Sequence, residues 1–397
     1  MTRIAKKMAS IEPSATLQIT AEAGRMKREG KNVISLAAGE PDFPTPQNIK
    51  EKAIKAIEEN FTHYTPASGI PELKEAIAEK FKKDWGVEYK PSEVIVSAGA
   101  KQVIFNAIYA LCDPGDEVIV IAPAWVSYVE QIKLAGGKPV IIETKEKDNF
   151  IPNPEKIKEK ISERTKAIII NSPNNPTGAV YPKEVLIKIA KTAISRNVLI
   201  ISDEIYEKLS YEEKSESLAY LMPEERDKML IVNGVSKAYA MTGWRIGWGL
   251  GPEDLIKAMG IIQGHMTSNP CSIAQKAALE AVKGPQEKVS EMVEEFKKRR
   301  ELLCSLLEDA PHLEFNKPKG AFYLFVNIEK AMGKKHNGKE IESDIDFCKR
   351  LLSEKLVAIV PGSAFLAPGY ARISYAASRE DLEEASRRIK EFLRELI

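Results

Sequence analysis

The chain has 397 residues, of which 44% are hydrophobic and 29% charged, a composition typical of globular proteins. Its 58 Lys and Arg side chains balance 57 Asp and Glu, and a net charge of +1 gives no broad positive surface for nucleic acid or an anionic membrane. No apolar run approaches the ~20 residues that span a bilayer, and the N-terminal residues do not resemble an export signal. We therefore predict a cytoplasmic protein that binds neither nucleic acid nor membrane.

The four cysteines and four histidines are scattered along the chain. The absence of a CxxC pair argues against a zinc knuckle or a disulfide scaffold. The absence of an HExxH pattern argues against a metalloprotease-type site, and the wide spacing makes a histidine-based triad improbable. We predict no metal site, so the chemistry must come from other groups.

Helical and strand patterns alternate from residue 46 onwards. Thr45 as an N-cap, followed by Pro46 at the first helical position, predicts the start of a first helix. Apolar residues every four positions between Leu73 and Trp85 predict a second helix that ends at Gly86. Helices are also predicted at 101–111 and 182–195. Short β-branched runs predict strands at 94–96, 118–121, 140–142, 168–170 and 198–201.

These strand runs lack polar alternation, as expected of parallel strands covered by helices on both faces. The sequence therefore predicts an α/β fold with a large doubly wound domain at 46–285. A helix at 287–307, a strand within 320–326 and a final helix–strand–helix segment predict a smaller α+β domain at 286–397. Residues 1–45 are assigned to an N-terminal arm and part of the small domain.

Two glycine patterns are rejected as nucleotide sites. The spacing from Gly333 to Lys339 matches a phosphate loop, but Glu340 replaces the Ser or Thr that would hold magnesium, and no strand leads into it. The glycines at 247–251 are followed by Pro252 and lack the last glycine of a dinucleotide fingerprint. Neither pattern predicts a bound nucleotide.

Lys237 lies directly after an apolar strand pattern at 229–235. Most lysines are surface residues, but a partly desolvated amine at a strand end can form a Schiff base. Arg245 follows among glycines that allow close backbone approach, which suits a bound phosphate. The two residues together suggest a site for a phosphorylated aldehyde.

Two more strand ends carry polar residues, Asn171 to Gly178 after one strand and Asp203 to Tyr206 after another. Taken alone, the segment from Asn171 to Gly178 is equally well explained as an ordinary turn, and Asp203 is equally well explained as a helix cap. Ligands of open α/β sheets bind at the carboxyl ends of the strands. An amine, a cation, a carboxylate and a phenol gathered there are the groups that pyridoxal phosphate (PLP) requires. The carboxylate, for example, would keep the ring nitrogen of PLP protonated.

The chain resembles the fold type I, PLP-dependent class I/II aminotransferases, and among them the bacterial aspartate aminotransferases of the thermophile-type branch. The resemblance runs from Arg3 to the C-terminus. It rests on these segments: AGEPDF at 38–43, HYTPASGIPELKEAIA at 63–78, GAKQ at 99–102, DPGDEV at 113–118, PAWVSY at 123–128, NSPNNPTGAVYP at 171–182, SDEIYE at 202–207, SKAYAMTGWRIGW at 236–248 and ARISYA at 371–376.

The resemblance implies that Lys237 is the catalytic lysine, which binds PLP covalently and then shuttles a proton. It also implies that Asp203 pairs with the ring nitrogen, that Asn175 and Tyr206 contact the phenolic oxygen, and that Trp125 stacks on the ring.

The phosphate group of PLP has its own set of implied contacts. The family's phosphate loop corresponds to Gly99, Ala100 and Lys101. Arg245 is a further implied contact. Tyr64 matches the tyrosine that reaches the cofactor of a neighbouring subunit, which implies a homodimer. Many relatives carry a hydroxyl where this chain has Gly234, and Ser236 is a weak substitute.

The implied substrate contacts begin with Arg372, which would hold the α-carboxylate as a bidentate partner, and with Gly39, which would contact it through its backbone. Trp125 and Asn175 would also face the substrate. Lys101, Ser14 and Thr16 match the positions that hold the distal carboxylate in this branch. A solvated helix start remains an alternative role for Lys101.

We therefore predict an aminotransferase that moves the amino group of L-aspartate to 2-oxoglutarate through PLP. Because lysine lacks the planar fork of arginine, a broader specificity that includes aromatic amino acids or prephenate remains open. A different PLP reaction, such as a β-lyase or synthase, and a non-catalytic module of the same fold are further alternatives.

Overall fold

The computed structural model describes residues 3–397, which contain thirteen α-helices, fifteen β-strands and seven short 3₁₀ helices. The α-helices are α1 (Ala15–Arg28), α2 (Gln47–Glu58), α3 (Pro71–Trp85), α4 (Ala100–Leu111), α5 (Ser127–Leu134), α6 (Pro154–Lys160), α7 (Lys183–Ile194), α8 (Leu218–Leu221), α9 (Glu253–Met266), α10 (Ser272–Lys283), α11 (Glu287–Leu307), α12 (Asp344–Lys355) and α13 (Arg379–Arg394). The 3₁₀ helices are Lys6–Ser10, Pro91–Glu93, Glu146–Asp148, Pro223–Lys228, Thr242–Trp244, Glu329–Ala331 and Gly362–Phe365.

The strands are β1 (Ile34–Ser35), β2 (Val94–Ser97), β3 (Glu117–Ala122), β4 (Lys138–Glu143), β5 (Thr165–Asn171), β6 (Leu199–Asp203), β7 (Met229–Gly234), β8 (Gly247–Leu250), β9 (Glu314–Phe315), β10 (Tyr323–Asn327), β11 (Lys335–His336), β12 (Lys339–Glu340), β13 (Val357–Ala358), β14 (Val360–Pro361) and β15 (Tyr370–Ser374).

A seven-stranded sheet forms the centre of the larger part of the chain, with the strand order β2-β8-β7-β6-β5-β3-β4. Strand β8 is antiparallel to both of its neighbours, and the other pairings are parallel. In this register Asn171 is opposite Asp203, and Asp203 is opposite Val232. The polar residues that follow β5, β6 and β7 therefore meet at one edge of the sheet.

The predicted helices and strands are confirmed, apart from details at their ends. Helix α3 ends at Gly86, which takes a left-handed conformation with a φ of 72°. The prediction that Thr45 caps α2 is wrong, because Pro46 occupies that position and the Thr45 hydroxyl donates instead to the carbonyl of Ala240 at 2.7 Å. A long-range partner has replaced the local one.

A second, antiparallel sheet has the order β14-β15-β10-β9. Strand β1 pairs with β13, so residues 34–35 are joined to the C-terminal part of the chain. The apolar core around this sheet includes Leu36, Phe296 and Ile373, and it also takes in Tyr206 from the segment after β6. This core therefore adjoins the central sheet near the carboxyl ends of its strands. The domain boundaries at residues 45 and 285 stay a prediction.

The two rejected glycine patterns are parts of ordinary structure. Residues 335–340 form the β11–β12 hairpin, and Gly247 begins β8. Within residues 3–397, none of the helices combines the length and the apolar character needed to cross a bilayer.

Candidate active site

Lys237 lies three residues after the end of β7, at the edge of the central sheet. Its side chain is only partly exposed, and its Nζ donates to the carbonyl oxygen of Gly39 at 2.6 Å. Burial lowers the pKa of the Lys237 amine to about 8; Arg372 and Arg245 add to this effect, and the Glu40 carboxylate opposes it. Near neutral pH the amine can therefore lose its proton far more readily than a surface lysine.

Asp203 is the last residue of β6 and is 4% exposed. Its Oδ2 accepts a hydrogen bond from the Tyr128 hydroxyl at 2.6 Å, and its Oδ1 accepts one from the backbone N–H of Ile205 at 3.2 Å. Burial raises the pKa of Asp203 to about 6, while these two hydrogen bonds and the charge of Lys237 act in the opposite direction. The carboxyl group is thus poised to be an anion when a cationic partner faces it.

The start of α4 and Arg245 together form an anion-binding cradle. Gly99 is the N-cap of α4 and has a φ of 84°. A Cβ on Gly99 would lie 2.4 Å from Nη2 of Arg245, so only glycine leaves room for the guanidinium. That guanidinium donates to the carbonyls of Thr242 and Ala98 at 2.8 and 3.1 Å. Free N–H groups at a helix start beside a fixed cation favour a phosphate.

Gly234 and Gly247 explain why this chain lacks a hydroxyl at the end of β7. A Cβ on Gly234 would lie 2.9 Å from Cα of Gly247, and a Cβ on Gly247 would lie 2.2 Å from the backbone nitrogen of Ala100. The β7–β8 pair and the start of α4 are therefore packed backbone to backbone. Ser236 is buried nearby at 7% exposure, and its side chain makes no hydrogen bond within residues 3–397.

Arg372 is 2% exposed and lies on β15 of the second sheet. Its Nη1 donates to Oδ1 of Asn175 at 2.9 Å, and its Nη2 donates to the carbonyl of Ala37 at 2.7 Å. Its Nε has no partner among the described residues. A Cβ on Gly39 would lie 3.9 Å from both terminal nitrogens of Arg372, so the glycine backbone adjoins the guanidinium. A buried guanidinium without a carboxylate partner suits an anionic ligand.

Asn175 is positioned by the turn after β5. Its backbone N–H donates to Oδ1 of Asn171 at 2.9 Å, and the Asn171 amide donates to the carbonyl of Asp203 at 3.0 Å. The turn is thereby fixed to the neighbouring strand β6. Tyr206 is buried beside it, and its hydroxyl lies 2.8 Å from the hydroxyl of Tyr323.

A cleft of about 1310 Å³ opens between α1, α4, α5 and α12, and its lining does not include Lys237, Asp203 or Arg372. Trp125, Lys101 and Ser14 line this cleft, whereas Thr16 does not. The Nζ of Lys101 lies 4.9 Å from the centre of the Trp125 ring. Ser14 also caps α1 by accepting from the N–H of Leu17 at 3.5 Å.

Tyr64 differs from the other predicted residues because it is 91% exposed. Its hydroxyl makes no hydrogen bond within residues 3–397. The single chain therefore leaves this aromatic side chain in solvent.

Three residues of the site were not predicted as site residues: Tyr128, Asn171 and Tyr323. Tyr128 is the second residue of α5 and lies three residues after Trp125, within the PAWVSY segment on which the family resemblance rests. Asn171 is the last residue of β5 and belongs to a polar strand end recognised in the sequence, but no role in the site was predicted for it. Tyr323 comes from the second sheet, and no local pattern pointed to it.

Taken together, the site offers an amine of lowered pKa, a buried carboxyl group, an anion-binding helix start and a buried guanidinium. Such a set can hold a phosphorylated, positively charged ring and a carboxylate-bearing substrate beside it.

Comparisons with known proteins agree with this reading. Residues 31–389 match the family model for aminotransferase class I and II. The aspartate aminotransferase of Bacillus subtilis is 48% identical over 98% of this chain and 99% of its own length. A probable aspartate/prephenate aminotransferase of Rickettsia felis is also 48% identical, over 98% of this chain and 96% of its own length.

Solved structures give the same result. The aspartate aminotransferase from Thermus thermophilus with maleate is 42% identical with a TM-score of 0.93, covering 99% of this chain and 100% of that one. The enzyme from Rhizobium meliloti is 43% identical with a TM-score of 0.96, covering all of both chains. A family match over most of the chain and close relatives over its full length leave one conclusion: this chain belongs to the class I and II aminotransferases.

Proposed function

We propose that this aminotransferase uses pyridoxal phosphate to transfer the amino group of L-aspartate to 2-oxoglutarate, giving oxaloacetate and L-glutamate. The observation that carries the proposal is that Lys237 and Asp203, at the edge of the central sheet, meet Arg372, which reaches Asn175 from the second sheet. The names of the Bacillus, Thermus and Rhizobium relatives support aspartate as the amino donor.

The residues present fit this cofactor. The cradle formed by Gly99, the start of α4 and Arg245 suits the phosphate, and the room left by the missing Cβ of Gly99 supports that assignment. Asp203 would hold the protonated ring nitrogen, with Tyr128 keeping the carboxylate in place. Asn175 and Tyr206 would contact the phenolic oxygen. When bound, the cofactor supplies an electron sink for negative charge at the substrate Cα.

The protein's part in the reaction follows from two further residues. Arg372 would bind the α-carboxylate of the substrate through both terminal nitrogens, which orients the Cα–H bond toward the sheet edge. Lys237 would take the proton from the substrate Cα and return it, because its amine titrates near 8 and is neutral in an appreciable fraction of molecules at physiological pH. The same amine would hold the cofactor in the resting enzyme.

Substrate choice would depend on the cleft beside Trp125. Lys101 places a positive charge there, and Ser14 contributes a hydroxyl at the start of α1. Thr16, the second residue of α1, completes the proposed contact set, although it does not line the cleft. A single ammonium selects a distal carboxylate less strictly than a forked guanidinium.

Broader specificity is therefore the second candidate. The name of the Rickettsia relative includes prephenate, and a cleft of about 1310 Å³ has room for a side chain larger than that of aspartate. The enzyme would act as a homodimer in which the exposed Tyr64 of one subunit completes the cofactor site of the other.

A half-reaction screen tests the proposal. The PLP-loaded enzyme is mixed with each of the twenty amino acids and with 2-oxoglutarate, oxaloacetate and prephenate, and the absorption of the cofactor is followed. We expect aspartate and glutamate to convert the cofactor fastest, and the matching oxo acids to reverse the change. Lys237→Ala should still bind PLP but convert it at least ~100-fold more slowly.

Other outcomes would reject the proposal in distinct ways. Release of pyruvate or a β-substituent without change of the cofactor would indicate a lyase or synthase. No spectral change with any amino acid would indicate a non-catalytic protein. Full conversion by Lys237→Ala would remove the assigned role of the lysine.

A further inference from the structure

Tyr323 contacts both Arg372, the proposed substrate-binding residue, and Tyr206, a proposed cofactor-binding residue. It is fully buried at the start of β10. In the antiparallel pairing of β10 with β15, Arg372 is opposite Phe325, and Tyr323 is two residues before Phe325 on the same face of the strand. Its ring centre lies 4.3 Å from Cζ of Arg372, and its hydroxyl lies 2.8 Å from the hydroxyl of Tyr206.

The position of Tyr323 is fixed by the surrounding backbone. The N–H groups of Lys319 and Gly320 donate to the carbonyl of Gly178 at 3.0 and 2.9 Å, which ties the approach to β10 to the turn that carries Asn175. On the other side, the hydroxyl of Tyr323 lies 3.0 Å from the place of a Cβ on Gly39. A larger residue than glycine at position 39 would therefore displace it.

Two hydroxyls in contact share one hydrogen bond, so one is the donor and the other the acceptor. Among the described residues, Tyr206 and Tyr323 have no side-chain hydrogen bond other than the one between them. If Tyr206 were the donor, its proton would be used within the protein. If Tyr323 is the donor, the proton of Tyr206 is left for the ligand.

We infer that Tyr323 is a positioning residue whose hydroxyl donates to Tyr206 and whose ring holds the guanidinium of Arg372 in place. The inference deepens the proposed function and rests on it. The hydroxyl directs the Tyr206 proton to the phenolic oxygen of the cofactor and makes Tyr206 a stronger donor, because hydrogen bonds in a chain polarise one another. The ring restricts the guanidinium through a cation–π contact.

The test separates the hydroxyl from the ring. In Tyr323→Phe, Tyr206 becomes a weaker donor, and more negative charge stays on the phenolic oxygen of the cofactor. The nitrogen that joins Lys237 to the cofactor should then hold its proton more tightly, and the pKa of the cofactor's absorption change should rise by about 0.5 to 1. The KM for aspartate should stay within about twofold, because the ring remains.

Tyr323→Leu should add a rise in KM of about 2- to 30-fold, since the contact with Arg372 is also lost. In a Tyr206→Phe background, Tyr323→Phe should cause no further change in the cofactor's pKa. Incorporating 3-fluorotyrosine at position 323, which makes a more acidic phenol of similar shape, should lower that pKa. This last substitution reverses the direction of the pKa shift and removes no hydrogen-bonding group.

Tyr375→Phe is the matched control, because it removes another buried hydroxyl of the same core, one that donates to the carbonyl of Ala321 at 3.2 Å. It should leave the cofactor's pKa unchanged. The inference is wrong if Tyr323→Phe titrates like the wild-type enzyme, or if it shifts the pKa equally with and without Tyr206. A wild-type enzyme without any titrating cofactor band would instead overturn the proposed function.

Discussion

The variant Gly99→Ala tests whether the anion-binding cradle holds the phosphate as proposed. The φ of 84° and ψ of 162° at Gly99 lie in a region that glycine uses almost alone, so an alanine there costs about 1 to 3 kcal/mol of stability. The added Cβ would also lie 2.4 Å from Nη2 and 3.0 Å from Cζ of Arg245. Ordinary contact begins at 3.4 Å, so the guanidinium has to move by the difference from 2.4 Å, which is 1.0 Å.

That displacement determines the expected size of the effect. It breaks the alignment of Arg245 with the carbonyls of Thr242 and Ala98 and moves its charge off the end of α4. Loss of one charge-assisted hydrogen bond to the phosphate is worth about 1.5 to 3 kcal/mol, which corresponds to a Kd for PLP about 10- to 150-fold higher.

Gly86→Ala is the control for the backbone strain. Gly86 also has a positive φ, of 72°, but no atom lies within 4 Å of its added Cβ, and it ends α3 away from the cradle. Both variants should lower the melting temperature of the apoenzyme. Only Gly99→Ala should raise the Kd for PLP, which is measured by titrating the apoenzyme with PLP and following its tryptophan fluorescence. Equal Kd values for the two variants would refute the assignment of Gly99 and Arg245 to the phosphate.

Two further predictions concern the cleft and the core. Lys101→Ala should lower kcat/KM for aspartate and glutamate by about 10- to 100-fold, and kcat/KM for phenylalanine by less than about threefold. Lys133 lines the same cleft but pairs with Glu130 at 2.9 Å, so Lys133→Ala is the control and should not lower kcat/KM comparably for any of these substrates. An equal loss for all substrates would show that Lys101 does not select the distal carboxylate. Burial raises the pKa of Glu204 to about 8, so between about pH 5.5 and 7 this carboxyl is protonated when folded and ionised when unfolded. In that range the free energy of unfolding should fall with rising pH by about 1.4 kcal/mol per pH unit from this group. Glu204→Gln is neutral at every pH, so its free energy of unfolding, measured by denaturant unfolding of the holoenzyme, should lack this dependence on pH. Parallel plots of that free energy against pH for the wild type and the variant would contradict a buried, neutral Glu204.

The sheet-edge residues were predictable because their signals are local. Asp203 ends an apolar run, the Asn175 turn follows another, and Lys237 follows a third. The rule that parallel strands end at one edge is enough to bring these three together. The register that sets Asn171 opposite Asp203 confirms this geometry.

The neighbours of these residues were not predictable in the same way. Tyr128 reaches Asp203 across 75 positions of sequence, and Tyr323 reaches Tyr206 across 117. Such contacts depend on side-chain direction and on how the second sheet packs against the first. No periodicity within a short window encodes either property.

Gly234 shows how the same limit affects the interpretation of a single residue. In the sequence it reads as a missing phosphate ligand, because the family resemblance implies a hydroxyl at this position. In the structure, Gly247 and the first N–H of α4 are so close that no Cβ fits at either glycine. Under the proposed function, a backbone approach of this kind would let the N–H groups of the helix start act in place of a side chain. The glycine would then contribute to the anion site, and this role could be recognised only once three distant segments were seen together.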